Sequence, residues 1–243
     1  MKLISLNIEG DKHLPEVIRL LQQESADIVC LQEVFEADLE EIQEKVDLEN
    51  VEYVPLMKIE SFPNIASLAP KGKWGIAILS KNLPIKTDAF FYVGSDSNTP
   101  VFENSPNSNN RAVLVAQINI EGSLFTVATT HLTWAKATEV STLQLKHADL
   151  ILDYLNQFAD FILCGDFNAP RELPTYKKLA DRLIDHLPST ITSTIDPNLH
   201  RVKGLSLVVD SVFSTPHYSL TDMKVVSDVS DHKALIASIL KKN

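Results

Sequence analysis

Two cysteines and seven glycines among 243 residues exclude a good deal at once. Two thiols cannot build a disulfide framework. Cys30 and Cys164 each sit in an apolar run, "DIVCLQEV" and "FILCGDFN", and read as buried free thiols whose matching contexts suggest neighbouring strands. So little glycine leaves scant material for a phosphate-cradling loop, and neither a Walker loop nor GxGxxG occurs. HExxH, paired cysteines and GxSxG are missing too, which disfavours zinc hydrolases and a serine nucleophile elbow. Ser230 beside Asp231 and His232 is a weak substitute, because triad members meet in space rather than in sequence. No apolar run approaches a membrane span. The opening "MKLISLNIEG" has one lysine and too short an apolar stretch for a secretory signal, so the expected setting is cytoplasmic, reducing and away from membranes.

Positive charge is also short, with 22 Lys and Arg against 32 Asp and Glu and a net charge of -10. That balance opposes a broad cationic face for non-specific nucleic-acid binding, although a net count leaves room for a local basic groove. The hydrophobic share of 44% and charged share of 22% are those of an ordinary globular protein. With no repeat and no linker, residues 1–243 read as one domain, expected to be a monomer.

The pattern along the chain is mixed. "KLISLNI" alternates like a strand, "HLPEVIRLLQQES" carries apolar residues at helical spacing with Pro15 in its first turn, and "ADIVCLQEV" returns as a buried strand. This β-α-β opening favours an α/β class. "EADLEEIQEKVDLEN" reads as a charged helix, followed by strands in "VEYVPLM", "WGIAILS", "IKTDAFFYV", "RAVLVAQINI" and "SLFTVATTHL". Residues 94–110, rich in Asn, Ser and Pro, read as a long surface loop, either functional or disordered. Helices then follow in "ATEVSTLQLKHADLILDYLNQF" and "ELPTYKKLADRL", and strands in "ADFILCG", "LSLVVDSVFST" and "HKALIASIL". The order predicts a layered α/β or α+β sandwich with mixed sheets.

Polar side chains recur where these strands end. They are Asn7 and Glu9, Glu33, His131, Asp166 and Asn168, Asp210, and Asp231 with His232. Each has a plain alternative: Glu33 could cap a helix beginning near Ala37, His131 could be a satisfied core histidine, and Asp166 and Asn168 could make turns. Asp210 within "LVVDSVF" is harder to excuse, since a carboxylate in an apolar strand must be paired or neutralised. As a set the residues are hard oxygen donors with scattered histidines, the chemistry of Mg²⁺ with Mn²⁺ as its alternative.

The ordered set "LNIEG", "LQEV", "WGIAILS", "NRAVL", "THL", "GDFN", "VVDSVF" and "SDHKAL" resembles the endonuclease/exonuclease/phosphatase (DNase I-like) superfamily of metal-dependent phosphoesterases. "NIEG" followed by "LQEV" looks most like the branch of abasic-site endonucleases and tyrosyl-DNA phosphodiesterases. The resemblance implies a four-layer αββα sandwich of two packed mixed sheets. It implies Glu33 as the principal Mg²⁺ ligand, helped by Asn7, Glu9 and Asp231. It places Asp166 on the attacking water and Asn168 and His131 on phosphate. His232 would hold the scissile phosphate or its leaving oxygen, with Asp210 accepting its other N–H. Arg111 would steady the site and Trp74 would touch substrate. Glu9 departs from the commoner Asp, and Ser211 stands where an aromatic or His is usual. The expected activity is phosphodiester or nuclease hydrolysis by in-line attack of water. Alternatives are a phospholipid, sphingolipid or small-molecule phosphoesterase, or a member that binds a phospho-ligand without turnover. The expected partner is a phosphate ester, DNA or another nucleic acid first, with Lys71, Lys73, Arg201 and Lys203 as candidate backbone contacts and loop 94–110 as the selector.

Overall fold

The computed structural model describes residues 1–61, 67–105, 107–136 and 139–242. The first half runs β1 (Lys2–Asn7), α1 (Leu14–Glu24), β2 (Ile28–Phe35), a 3-10 turn (Glu36–Asp38), α2 (Leu39–Lys45), β3 (Asn50–Ile59), β4 (Gly72–Ser80) and β5 (Pro84–Val93). The second runs β6 (Arg111–Ile120), β7 (Ser123–His131), α3 (Thr142–Leu155), β8 (Ile162–Asp166), α4 (Pro174–Arg182), β9 (Ile184–Asp185), β10 (Asp210–Ser214), β11 (Tyr218–Val226) and β12 (Ala234–Lys241). Two six-stranded sheets result, ordered β11-β12-β1-β2-β4-β3 and β5-β6-β7-β8-β10-β9. Each contains one parallel pair at its centre, β1 with β2 and β7 with β8, because a helix crosses over between those strands. The sandwich of two mixed sheets with flanking helices is the one expected from the sequence.

Alternation in β1 and β2 divides the core. Ile4, Leu6, Val29 and Leu31 meet Val17, Ile18, Leu21 and Ile42 of α1 and α2 on the outer face. Leu3, Ile28 and Cys30 face the second sheet, where Val127, Ile162 and Cys164 wait, and Ala148, Ile151, Leu155 and Leu179 of α3 and α4 close the far side. Cys30 and Cys164 are free and buried on β2 and β8. They therefore sit in facing sheets rather than on neighbouring strands of one sheet.

Boundaries depart from the sequence reading in several places. The strand expected over residues 205–215 begins only at Asp210, because Val208 and Val209 give their carbonyls to Arg171 and Phe167 N–H instead of a ladder. β11 was not expected: its residues are mostly half-exposed or exposed, and a bulge between Thr221 and Lys224 breaks its period. The charged helix is a 3-10 turn followed by only seven residues, and β3 begins by Asn50. α3 starts at Thr142 under Ser141, whose side chain accepts from Gln144 N–H at 3.2 Å; residues 137–138, which the sequence reading placed in this helix, lie outside the described residues. Loop 94–110, apart from residue 106 outside the described set, is stitched to β3 rather than free. Lys58 N–H donates to Pro100 O at 2.8 Å, Phe102 N–H to Lys58 O at 2.9 Å, and Asn110 N–H to Leu56 O at 2.9 Å. Among the described residues no helix is long and apolar enough to cross a membrane.

Gly165 lies inside β8 at φ 141 and serves close approach. A Cβ there would sit 2.1 Å from the carbonyl oxygen of Thr130 on β7. Since β7 and β8 carry His131 and Asp166, the spacing of these strands sets the spacing of those side chains. Gly165→Ala should therefore lower stability by about 1–3 kcal/mol, as overpacking does. Urea unfolding measures it, and a midpoint unchanged from the parent protein would contradict this role.

Candidate active site

Three adjacent strands end in one row. His131 on β7 is the register partner of Asp166 on β8, and Asp166 is the register partner of Asp210 on β10. The other sheet meets this row with the ends of β1 and β2, which carry Asn7 and Glu33, and with the segment before β12, which carries Asp231 and His232. The cavity between them measures about 360 Å³ and is lined by Glu9, Glu33, Asp166, Asn168, Asp231, His232, His131 and Arg111. Its remaining wall is Met57, Leu68, Trp74, Phe102, Asn109 and Trp134, with His200 and Arg201 beside Asp231 and His232 in the lining. Asp210 and Asn7 lie behind this surface as partners of lining residues.

Backbone strain concentrates here. Glu33 has φ 61 at a bulge between Gln32 and Val34, where the extra residue turns its side chain out of the ladder and into the site. It is not a helix cap; the following 3-10 turn starts after Phe35 without a side-chain cap. β1 and β8 end in matching turns. Glu9 N–H donates to Asn7 Oδ1 at 3.1 Å with Glu9 at φ 52, and Asn168 N–H donates to Asp166 Oδ1 at 2.8 Å with Asn168 at φ 49. The turn explanation thus holds for "GDFN". Left-handed conformations at non-glycine residues cost energy and gather at functional sites.

Asn7 spaces two carboxylates, its Nδ2 donating to Glu33 Oε1 at 3.1 Å and to Asp166 Oδ2 at 3.0 Å. Burial, followed by the charge of Asp231, raises Glu33 to about 8, against the opposing pull of Asn7 and His232. Asp166 goes the other way. Burial opposes its charge, but the neighbouring His232 and His131 and the Asn168 and Asn7 donors hold it below the usual carboxylate value. His232 Nδ1–H donates to Asp210 Oδ2 at 2.9 Å, and its Nε2 lies 3.8 Å from Asp166 Oδ2. Burial disfavours its charged form, yet Asp210, Asp166 and Asp231 outweigh that and raise His232 well above the ordinary imidazole value. Asp210 is raised by burial to about 6. At neutral pH the pair is an imidazolium on a carboxylate.

His131 differs. Burial and the Arg111 charge lower it to about 3, so it is a neutral ring whose Nε2 faces Asp166 at 3.5 Å and Glu33 at 3.7 Å. It is buried but lines the cavity, and its Nδ1 has no hydrogen-bond partner among the described residues, so it is not a satisfied core histidine. Arg111 Nη1 donates to the carbonyls of His131 at 2.9 Å and Leu132 at 3.0 Å, fixing the end of β7. Asn168 Nδ2 donates to Leu132 O at 2.9 Å. Ser230 Oγ faces Asp231 at 3.4 Å.

Glu9 lines the cavity with both carboxylate oxygens already engaged, by Lys12 at 2.5 Å and His13 at 3.3 Å. Lys71 is held by Asp11 at 2.8 Å and Asp38 at 2.9 Å, and Lys73 by Glu36 at 3.2 Å. Lys203 donates to Asn198 O. Of the four basic residues expected to face a nucleic-acid backbone, Arg201 lines the cavity. Trp74 lines it too, 3% exposed, its ring 5.7 Å from that of His131.

The donors fit a hard divalent cation. Ligand atoms of Glu33, His131 and Asp166 lie within 4.8 Å of one another, as do those of Asp166, Asp210 and His232. A carboxylate pushed to about 8 by burial and then by the charge of Asp231 marks a place where positive charge is short. Glu33 and Asp166 would hold the ion, with Asp231 lining the same cavity, and Asn7 would join them if its amide turned its oxygen inward. Oxygen donors of this kind suit Mg²⁺ or Mn²⁺.

Several residues here carry no mark in the sequence. Met57, Leu68, Phe102 and Trp134 cannot be told from core residues by pattern alone. Gln144, 2% exposed, ties the carbonyls of Thr133 at 2.7 Å and Asn168 at 2.9 Å. Asp196, fully buried, accepts from Asn198 N–H at 2.8 Å, Leu199 N–H at 3.0 Å and Asp228 N–H at 2.8 Å, while its own N–H donates to Asp231 O at 2.8 Å. It thereby joins the turn bearing His200 and Arg201 to the segment bearing Asp231 and His232.

Comparison with known proteins follows this geometry. The profile of the Endonuclease/Exonuclease/phosphatase family matches residues 4–232. No curated protein matches the sequence. Among solved structures, the mannosyl-6-phosphatase of Bacteroides thetaiotaomicron superposes with a TM-score of 0.72 at 16% identity, covering 99% of both chains. The human nocturnin catalytic domain with a bound sulfate anion gives 0.69 at 15% identity, over 100% of this chain and 93% of that one. A humanized D. rerio TDP2 with 14 mutations gives 0.67 at 16% identity, over 99% of each chain. Identities this low show a common fold and leave substrates open.

Asp196 yields a pH prediction. Burial opposes its charge, but the Asp228, Leu199 and Asn198 N–H groups outweigh it and lower the pKa. A lowered folded value gives stability that is present above the unfolded pKa of about 3.9 and lost as pH falls through the folded one. Asp196→Asn should cost about 1–3 kcal/mol at pH 7 through mismatched donors. The gap to wild type should be narrower at about pH 2 than at pH 7, as acid carries the carboxylate toward its neutral form. Urea midpoints at the two pH values check this, and a gap that does not narrow would contradict it.

Proposed function

The chain belongs to the Endonuclease/Exonuclease/phosphatase family, and on that premise we propose that it is a divalent-metal-dependent phosphoester hydrolase. The observation carrying this reading is the gathering of Glu33, Asp166 and Asp231 around one cavity with His232 held cationic against Asp210. A Mg²⁺ or Mn²⁺ ion bound by those carboxylates would neutralise the charge of phosphoryl oxygens.

The chain's own groups supply the rest. Asp166, kept ionised by its donors, is placed to accept a proton from a water and aim it at phosphorus. His232 is fixed by Asp210 through Nδ1, so Nε2–H is turned toward Asp166 and the cavity. There it can donate to a phosphoryl or leaving oxygen. His131 stays neutral and adds no charge to the site. Arg111 and Gln144 hold the backbone on which His131 and Asn168 ride.

Substrate size follows from the walls. Backbone binding of a nucleic acid draws on free cations near the site, and Lys71 and Lys73 are neutralised by Asp11, Asp38 and Glu36. A cavity of about 360 Å³ with an apolar wall suits a small phosphoester or the end of a strand better than a duplex.

Hydrolysis of bis(p-nitrophenyl) phosphate in Mg²⁺ tests the reading. Glu33→Ala, Asp166→Ala and His232→Ala should each lose about 10²–10⁴-fold in kcat/KM, and chelation should abolish turnover until Mg²⁺ or Mn²⁺ is restored. Equal rates in all three variants and in chelator would overturn it.

A further inference from the structure

The edge strand of a sheet presents a row of N–H and C=O groups, and proteins commonly shield such edges from pairing with another chain. The two sheets have four edges, at β3, β5, β9 and β11. Three carry a shielding device. β9 is two residues long, and β11 is broken by the bulge between Thr221 and Lys224. β3 carries Pro55 with a bulge beside it, and is tied to loop 94–110 from Leu56 onward. β5 differs: it pairs regularly with β6 from Lys86 to Phe91, and residues 85–89 are exposed without interruption.

Exposed apolar surface collects at the same place. Leu83 is 72% exposed and Ile85 65%, the two highest values among large hydrophobic side chains of the described residues. Two hydrogen bonds fix which backbone groups of β5 face outward. Ala89 N–H donates to Asp88 Oδ1 at 2.9 Å. On the far side of β6, Thr126 N–H donates to Tyr218 Oη at 3.2 Å and so turns away from its register partner Gln117, which leaves Gln117 to bond its other partner, Lys86. By the two-residue period, Lys86 and Asp88 bond β6, while Thr87 and Ala89 face outward.

We infer that β5 pairs antiparallel with β5 of a second copy of this chain, about a two-fold axis at Thr87, in place of the monomer expected from the sequence. About that axis the edge complements itself. Thr87 exchanges N–H···O=C bonds with its equivalent, and Ala89 comes opposite Ile85 of the other copy. Lys86 of each copy comes opposite Asp88 of the other, in the closer, non-hydrogen-bonded kind of pair. Charged residues on an edge ordinarily discourage pairing. Here they are of opposite sign and flank the axis, so each meets its complement. An axis at Lys86 or at Asp88 would instead set a like charge against itself, which selects the Thr87 register.

Sedimentation velocity of the full chain, over about a hundredfold range of protein concentration, tests the pairing. Wild type should shift from monomer to dimer as concentration rises. Lys86→Asp and Asp88→Lys each place like charges opposite one another twice, and each should weaken the dimer by about tenfold or more in Kd. Combining the two substitutions reverses both charges, and the double variant should recover a dimer within about threefold of the wild-type Kd. Both positions are exposed, so the variants should melt as wild type does at concentrations where all are monomeric. Three outcomes would each overturn the inference: a wild type that stays monomeric throughout, a dimer that neither single substitution weakens, or a folded double variant that fails to recover it. The last two would place any dimer contact away from this register.

Discussion

The carboxylates of Glu33, Asp166 and Asp231 crowd one cavity where burial already disfavours charge, and much of the structure around them exists to keep them there. Left alone, such groups would separate or take up protons. They cannot separate, because each is fixed at the end of a strand or a tied loop whose position is set by the core. Asn7 stands between two of them, and His232 supplies positive charge beside Asp166. Glu33 is the residue on which the conflict falls, raised to about 8. A divalent cation would resolve that conflict in a way that no described residue does.

The fold serves this arrangement by symmetry of use. β1 and β8, one from each sheet, both end in a short turn in which an Asx side chain accepts from the backbone two residues on. The two turns bring Asn7 and Asp166 within hydrogen-bond distance across the sandwich. Gly165 permits β7 and β8 to approach, which puts His131 and Asp166 side by side. The positive φ at Glu9, Glu33 and Asn168 is the local cost of aiming these side chains, sustained by strands packed on both faces. Stability is given up at the site and regained in the core.

How much of this was legible in the sequence follows from what patterns encode. Period and burial found the helices and most strands, because a buried face imposes its spacing on the residues. β11 was missed because no face of it is consistently buried. The polar strand ends stood out against apolar runs, so Glu33, Asp166, Asp210 and His232 could be named before their meeting place was known. Side-chain partners could not be read. Nothing in the letters shows that Glu9 is engaged by Lys12 and His13, or that Lys71 is held by Asp11 and Asp38. Those outcomes depend on which loops meet, and loop meetings are tertiary events.

Metal binding itself tests the central claim most directly. A calorimetric titration of the protein with Mn²⁺ at pH 7, in buffers of different ionisation heat, reports both affinity and protons displaced. Saturable binding that releases a proton in wild type, and is lost or weakened at least tenfold in Glu33→Gln, is the result expected if these carboxylates share one cation. Unchanged Mn²⁺ affinity in Glu33→Gln, or no binding by wild type at all, would contradict the account.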